Sequence, residues 1–291
     1  MIKLLSRMKS LQINKALPHL YLDLLKKSLT HYMTDNGYVS LHFRTHGKMK
    51  HLLYRLIETV LNPFSLELVK HNQFDPKIRE VGMDWPANAE TMIGLRRLDN
   101  IQYCMEDVLR KNIPGDVIET GVWRGGATIF MRAVLKAYNI TNRTIWVADS
   151  FEGLPKTTDQ SHKQDIEDHL DTYTQLQVSL AQVKKNFEKY GLLDHQVKFL
   201  KGWFKDTLPS APIRRLAVLR LDGDMYESTM DALQALYPKL SVGGYLIIDD
   251  WCLPQCRSAV KAYRKQCGIS EKIQRIDGTG VFWRKEKKTG F

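Results

Sequence analysis

Between residues 116 and 284 the chain alternates short apolar runs with longer stretches whose apolar positions recur every three or four residues. The short runs predict five strands: Asp116-Val-Ile-Glu119, Arg143-Thr-Ile-Trp-Val-Ala-Asp149, Gln196-Val-Lys-Phe-Leu-Lys-Gly202, Leu216-Ala-Val-Leu-Arg-Leu221 and Gly244-Tyr-Leu-Ile-Ile248. Between them the pattern predicts helices over 127–138, through Leu180, Val183 and Phe187 to a stop at Gly191, and over 229–240 with Ser228 as N-cap. A further helix is expected over 255–267 with Gly268 just past its end. Residues 272–277 and 281–284, around Gly278-Thr-Gly280, read as a terminal hairpin. Strands separated by helices pair in parallel. The expected fold is therefore α/β and Rossmann-like, a seven-stranded mostly parallel sheet with an antiparallel last strand.

Upstream, residues 1–85 read as a separate N-terminal helical extension. Leu20, Leu22, Leu24, Leu25 and Leu29 form one apolar stripe; Leu52, Leu53, Leu56, Ile57 and Val60 form another, ended by Asn62-Pro63. His42, His46 and His51 lie between them without acidic partners at ligand spacing, which points to a solvated face rather than a metal site. Residues 86–291 form the main domain, entered through an amphipathic helix or helix pair bearing Met92, Leu95, Leu98, Ile101, Tyr103, Met105 and Val108. The polar stretch 156–171, with His162 and His169, reads as a mobile surface segment or lid, and His162 is a candidate proton relay.

Composition narrows the class. At 291 residues, 43% hydrophobic and 26% charged, the chain is ordinary for a globular protein. No run reaches the roughly 18 apolar residues of a membrane span. Lys9 and Lys15 interrupt any signal-peptide core, so a cytoplasmic location is expected and no membrane partner. Four cysteines, with Cys252 and Cys256 in a C-x₃-C lacking a second pair, suit idle thiols better than disulfides or zinc. The formal charge of +11 raises nucleic acid as a partner, but the basic residues are dispersed and no nucleic acid partner is expected.

Candidate chemistry concentrates at the strand ends. Leu216–Leu221 breaks into Asp222-Gly-Asp224, and Gly244–Ile248 breaks into Asp249-Asp250. Neighbouring strands lie about 4.8 Å apart, so these carboxylates would crowd together, and like charges so placed require a shared proton or cation. Oxygen ligands of this kind suit Mg²⁺ or another hard divalent cation. The first strand ends in Glu119 ahead of Gly121, Gly125 and Gly126, and the second ends in Asp149, the usual place of a ribose-binding acid. The spacing G-x₃-G-G departs from the dinucleotide fingerprint. A carboxylate before the glycines disfavours a pyrophosphate and favours the sulfonium and ammonium of S-adenosylmethionine. Trp203, just past the third strand, either stacks on an adenine or seals the core.

Six segments then carry a resemblance: Tyr21-Leu-Asp-Leu-Leu-Lys, Thr91-Met-Ile-Gly-Leu-Arg-Arg-Leu-Asp-Asn, Glu119-Thr-Gly-Val-Trp-Arg-Gly-Gly, Ala148-Asp-Ser-Phe-Glu-Gly-Leu-Pro, Leu221-Asp-Gly-Asp-Met-Tyr-Glu-Ser-Thr and Gly244-Tyr-Leu-Ile-Ile-Asp-Asp-Trp. The chain resembles the macrocin O-methyltransferase (TylF-like) family, S-adenosylmethionine-dependent enzymes that methylate sugar hydroxyls of natural products. The resemblance implies a class I methyltransferase fold. It also implies cofactor contacts from Thr91, Met92, Glu119, Thr120, Gly121, Val122, Trp123, Gly125, Asp149, Ser150, Gly202, Trp203 and Asp222, and Mg²⁺ held by Asp222, Asp249 and Asp250. Asp224 is the first candidate for general base and Asp222 the second, acting on a sugar-containing small-molecule acceptor. A homo-oligomer is expected. The alternatives are methylation of another small molecule or of nucleic acid, or a non-catalytic metabolite-binding relative.

Overall fold

Residues 116–284 condense into one sheet because four of its strands are nearly continuous apolar runs, largely buried on both faces. The computed structural model describes residues 17–33, 38–40, 56–57, 59–66, 68–71, 74–86, 88–168 and 170–287. The strands are β1 (Asp116–Thr120), β2 (Ile145–Asp149), β3 (Val197–Lys201), β4 (Leu216–Leu221), β5 (Leu240–Ile248), β6 (Gln274–Arg275) and β7 (Val281–Arg284). They lie in the order β3-β2-β1-β4-β5-β7-β6. β1 to β5 pair in parallel, and β7 runs antiparallel to both β5 and β6. The hairpin is shorter than its sequence pattern, with only two residues in β6.

From β1 the chain winds outward to β2 and β3, then returns to β4 on the other side. The carboxyl ends of β1 and β4 therefore form the topological switch point at which such sheets bind ligands. The parallel ladder runs one residue past the strands: Asp222 N–H donates to Thr120 O and Asp249 N–H to Leu221 O, both at 2.9 Å. That extra rung sets Asp222 and Asp249 side by side.

One face of the sheet packs on α3 (Leu95–Arg110), α4 (Gly126–Ala137) and α6 (Leu180–Lys189). The opposite face packs on the short α7 (Phe204–Thr207), α8 (Tyr226–Leu236) and α9 (Pro254–Gln266). The stripe predicted for α3 is buried at Leu98, Ile101, Met105 and Val108, whereas Tyr103 is exposed. Residues 86 and 88–94 are not helical, so of the helix or helix pair expected here the structure has a single helix.

Residues 17–29 form helix α1, whose Leu22, Leu25 and Leu29 join the main core, while Leu20 and Leu24 face outward. The N-terminal region is not wholly helical. Tyr38–Ser40 and Val69–His71 pair as an antiparallel ribbon, a pattern too short to show in sequence periodicity. A short helix α2 (Pro76–Val81) follows, capped by the Asp75 side chain. The segment expected as a lid also folds locally, into α5 (Lys163–Asp168) and a 3-10 turn (Leu170–Thr172). His42, His46, His51 and His169 lie outside the described residues. Among the described residues no helix is long and apolar enough to cross a membrane. All four cysteines are free thiols.

Candidate active site

The turn between β1 and α4 is held open by backbone geometry that only glycine adopts readily. Gly121 sits at φ +83°, and a Cβ there would lie 1.6 Å from Asp222 O. Gly121→Ala is accordingly expected to displace the Asp222 strand end, lowering stability by more than ~2 kcal/mol. Loss of S-adenosylhomocysteine binding in calorimetry, together with a lowered Tm, would check this.

Two cavities meet at this turn, of ≈ 480 and ≈ 230 Å³, and share Gly121, Asp149, Gly153, Leu154 and Asp222 in their walls. The larger is lined by Ser150, Gly202 and Trp203, so Trp203 stands at the cavity rather than in the core. The smaller is lined by Thr91, Met92, Glu119, Val122 and Trp123, and also by Asp224, Asp249 and Asp250. Of the predicted cofactor contacts, Thr120 and Gly125 line neither. Strand alternation turns Thr120 away from the side that Glu119 occupies, and Gly125 packs towards Val183 and Phe187. Asp149 spends both carboxylate oxygens on backbone: Val122 N–H donates to Oδ2 and Phe151 N–H to Oδ1, each at 2.7 Å. It thereby ties the β1 and β2 loops together.

The acidic cluster has a basic centre that the sequence pattern hid. Arg220, 1% exposed, lies directly across the β1–β4 register from Glu119. Its Nη1 donates to Glu119 Oε1 and, at 2.7 Å, to Asp222 Oδ2; its Nη2 lies 2.5 Å from Asp249 Oδ1. Arg97, from the first turn of α3, donates to Asp249 Oδ2, and its Nε lies 3.2 Å from Asp277 Oδ2. Asp277 in turn accepts from Thr279 and Gly280 N–H at 2.8 Å, so the hairpin turn is fastened to the cluster.

One carboxylate oxygen each from Asp222, Asp249 and Asp250 lies within 4.8 Å of the other two. Burial, opposed by Arg220 but assisted by Asp222 and Asp249, pushes the Glu119 carboxyl up to about 8. Its Oε2 is buried without a partner. Burial and the neighbouring Asp224, Asp222 and Asp249 hold Asp250 well above the usual carboxylate range. For Asp249 the burial effect is outweighed by Arg220 and Arg97, which hold it below that range. Asp224 adopts a left-handed turn, φ +55°, and its N–H donates to Asp250 Oδ2 at 3.0 Å. His162 stacks on Tyr226 rather than facing either cavity.

A seven-stranded sheet in this order, with its cleft at the β1–β4 switch point, is that of a class I S-adenosylmethionine-dependent methyltransferase. Comparison with known proteins narrows the class: the family model for Macrocin-O-methyltransferase (TylF) matches residues 18–285, and the chain belongs to that family. It is an S-adenosylmethionine-dependent O-methyltransferase. Among its relatives, mycinamicin III 3''-O-methyltransferase of Micromonospora griseorubida is 50% identical over 269 residues, covering 91% of this chain and 96% of that protein. The 8-demethyl-8-(2,3-dimethoxy-alpha-L-rhamnosyl)-tetracenomycin-C 4'-O-methyltransferase of Streptomyces olivaceus is 53% identical over 266 residues, covering 91% and 92%. The structure of the O-methyltransferase NovP superposes with a TM-score of 0.80 at 44% identity, covering 93% of this chain and all of that one.

Proposed function

We propose that the chain methylates a hydroxyl of a sugar attached to a natural product. In this reading Asp222, Asp249 and Asp250 hold a hard divalent cation such as Mg²⁺, and Asp224 takes the hydroxyl proton. The observation that carries the reading is the convergence of those three carboxylates beside the smaller cavity. The donor set is all oxygen, which suits Mg²⁺ or Mn²⁺. Six carboxylates (Glu119, Asp222, Asp224, Asp249, Asp250 and Asp277) surround two guanidiniums (Arg97 and Arg220), so negative charge is left over even with Glu119 protonated. When bound, such a cation lowers the pKa of a hydroxyl in contact with it and S-adenosylmethionine supplies an electrophilic methyl group.

The chain's own residues do the rest. Asp224, turned into the cavity beside Asp250, is the first candidate to accept the proton, and Asp222 is the second. The unpartnered Glu119 Oε2 suits the cofactor's ammonium group, and Trp203 and Gly202 suit its adenine end. Met83, Trp85 and Leu253 give the smaller cavity an apolar wall fitted to a deoxysugar. Among the described residues its cationic lining is Arg97 and Arg220, both committed to buried ion pairs rather than turned to a diphosphate. That favours a finished glycoside over a nucleotide-linked sugar, in keeping with relatives named for mycinamicin and a rhamnosyl-tetracenomycin.

With mycinamicin III as probe acceptor, methyl transfer is expected to cease in EDTA and to return on adding Mg²⁺. Asp224→Asn is expected to lower kcat on the order of 10²- to 10⁴-fold while S-adenosylhomocysteine binding stays unchanged. Activity indifferent to EDTA would reject the cation.

A further inference from the structure

Helix α8 starts directly after the loop 222–225, yet it has no cap of its own. Met225 stands at its N-cap without a side-chain bond, and the expected cap, Ser228, lies inside the helix. Unsatisfied N–H groups at a helix start need an acceptor from elsewhere. Here Tyr226 and Glu227 donate to Oδ1 and Oδ2 of Asp165, at 2.6 and 3.0 Å, and Asp165 is completely buried. A carboxylate at this position also complements the helix dipole. Two further contacts join the same pieces of chain. The His162 ring stacks on Tyr226 with centroids 3.6 Å apart, and His162 N–H donates to Glu227 Oε1 at 2.8 Å. A few residues before Asp165, the same segment walls the larger cavity with Thr158, Gln160 and Ser161.

The loop so fastened is constrained along its length. Asp224 is left-handed, Met225 N–H bonds back to Gly223 O at 2.5 Å, and Asp224 N–H is held by Asp250. A conformation of this kind persists only where its surroundings over-determine it. Asp165 supplies the restraint at the helix end, and it lines neither cavity.

We propose that Asp165 is a positioning residue: it fastens the segment over the cofactor cavity to the loop bearing Asp222 and Asp224, so that filling that cavity sets the loop's geometry. The inference rests on the reading of Asp222 and Asp224 given above, and it adds a coupling between the cofactor and the carboxylates. Binding that orders one side of a clasp changes the free energy of the other side in the same measure.

The test compares the wild type with Asp165→Ala and Asp165→Asn, using S-adenosylhomocysteine and Mn²⁺ as probes. In the wild type, saturating S-adenosylhomocysteine is expected to slow hydrogen exchange at the amides of residues 225–227. Asp165→Ala is expected to abolish that slowing while still binding S-adenosylhomocysteine within about threefold, and to lose about tenfold in Mn²⁺ affinity by electron paramagnetic resonance. Asp165→Asn keeps the side-chain shape and one acceptor oxygen, so its slowing is expected to be intermediate; it carries the test if the alanine variant does not fold. Slowing equal to the wild type in the variants overturns the inference, whatever Mn²⁺ does. A wild type that binds S-adenosylhomocysteine but no Mn²⁺ overturns only the cation reading.

Discussion

Asp250→Asn is expected to make the metal-free protein more stable and the enzyme far less active. The neighbours that act most strongly on Asp250 are like-charged: Asp224, Asp222 and Asp249 all push its carboxyl upward, on top of its burial. An amide removes that repulsion and can still accept the Asp224 N–H, now at 3.0 Å. The gain is about 1 kcal/mol, or about 2–4 °C in Tm for a domain of this size. The same substitution replaces one of three carboxylates whose oxygens lie within 4.8 Å of each other by a neutral amide, whose single oxygen is engaged with the Asp224 N–H. Mn²⁺ affinity should fall by about tenfold or more, and methyl transfer on the order of 10²- to 10³-fold. Calorimetry of the metal-free protein and a metal titration measure the two effects separately. If the variant proved less stable and bound Mn²⁺ as before, Asp250 would be a structural acid.

The acids at the strand ends and the winding of the sheet were legible in the sequence because each is a local pattern: an apolar run, an abrupt polar stop, a helix, another run. Arg220 was not, since it occupies one position in Leu216-Ala-Val-Leu-Arg-Leu221 and is outvoted there by its neighbours. Its role appears only once β1 and β4 are in register and Glu119 stands opposite. Arg97, 152 residues from Asp249, carries no local signal at all. Ser228 reads as a cap by its residue type, whereas the cap comes from Asp165, 61 residues upstream of Tyr226. The misses share a cause: buried charges and caps are satisfied by tertiary partners, which periodicity does not report.

The second large effect concerns that arginine. Arg220→Met removes the one cation shared by Glu119, Asp222 and Asp249 and leaves buried carboxylates facing each other. Breaking a buried ion pair from one side typically costs about 3–5 kcal/mol, so Tm is expected to drop by about 6–20 °C. Arg220→Lys should recover little, because an ammonium is a point charge and does not span three carboxylates as a guanidinium does. Adding Glu119→Gln to Arg220→Met should restore part of the loss, since Glu119 Oε2 is already without a partner. Denaturant unfolding of the four proteins decides the matter; a single substitution costing under about 1 kcal/mol would show that Arg220 does not hold the cluster together.

Helix α1 reaches the glycine turn through a relay of main-chain bonds: Leu29 O accepts from Glu90 N–H at 3.2 Å, and Glu90 O accepts from Gly126 N–H at 2.9 Å. The Arg79 guanidinium clasps Thr30 O from the other side. An engineer exchanging leading segments between relatives to alter acceptor choice would therefore be handling part of the cofactor turn as well. A graft junction placed after Gly94 would keep Leu29, Thr30, Arg79 and Glu90 together, whereas one placed between residues 33 and 74 would sever partners that hold that turn in shape.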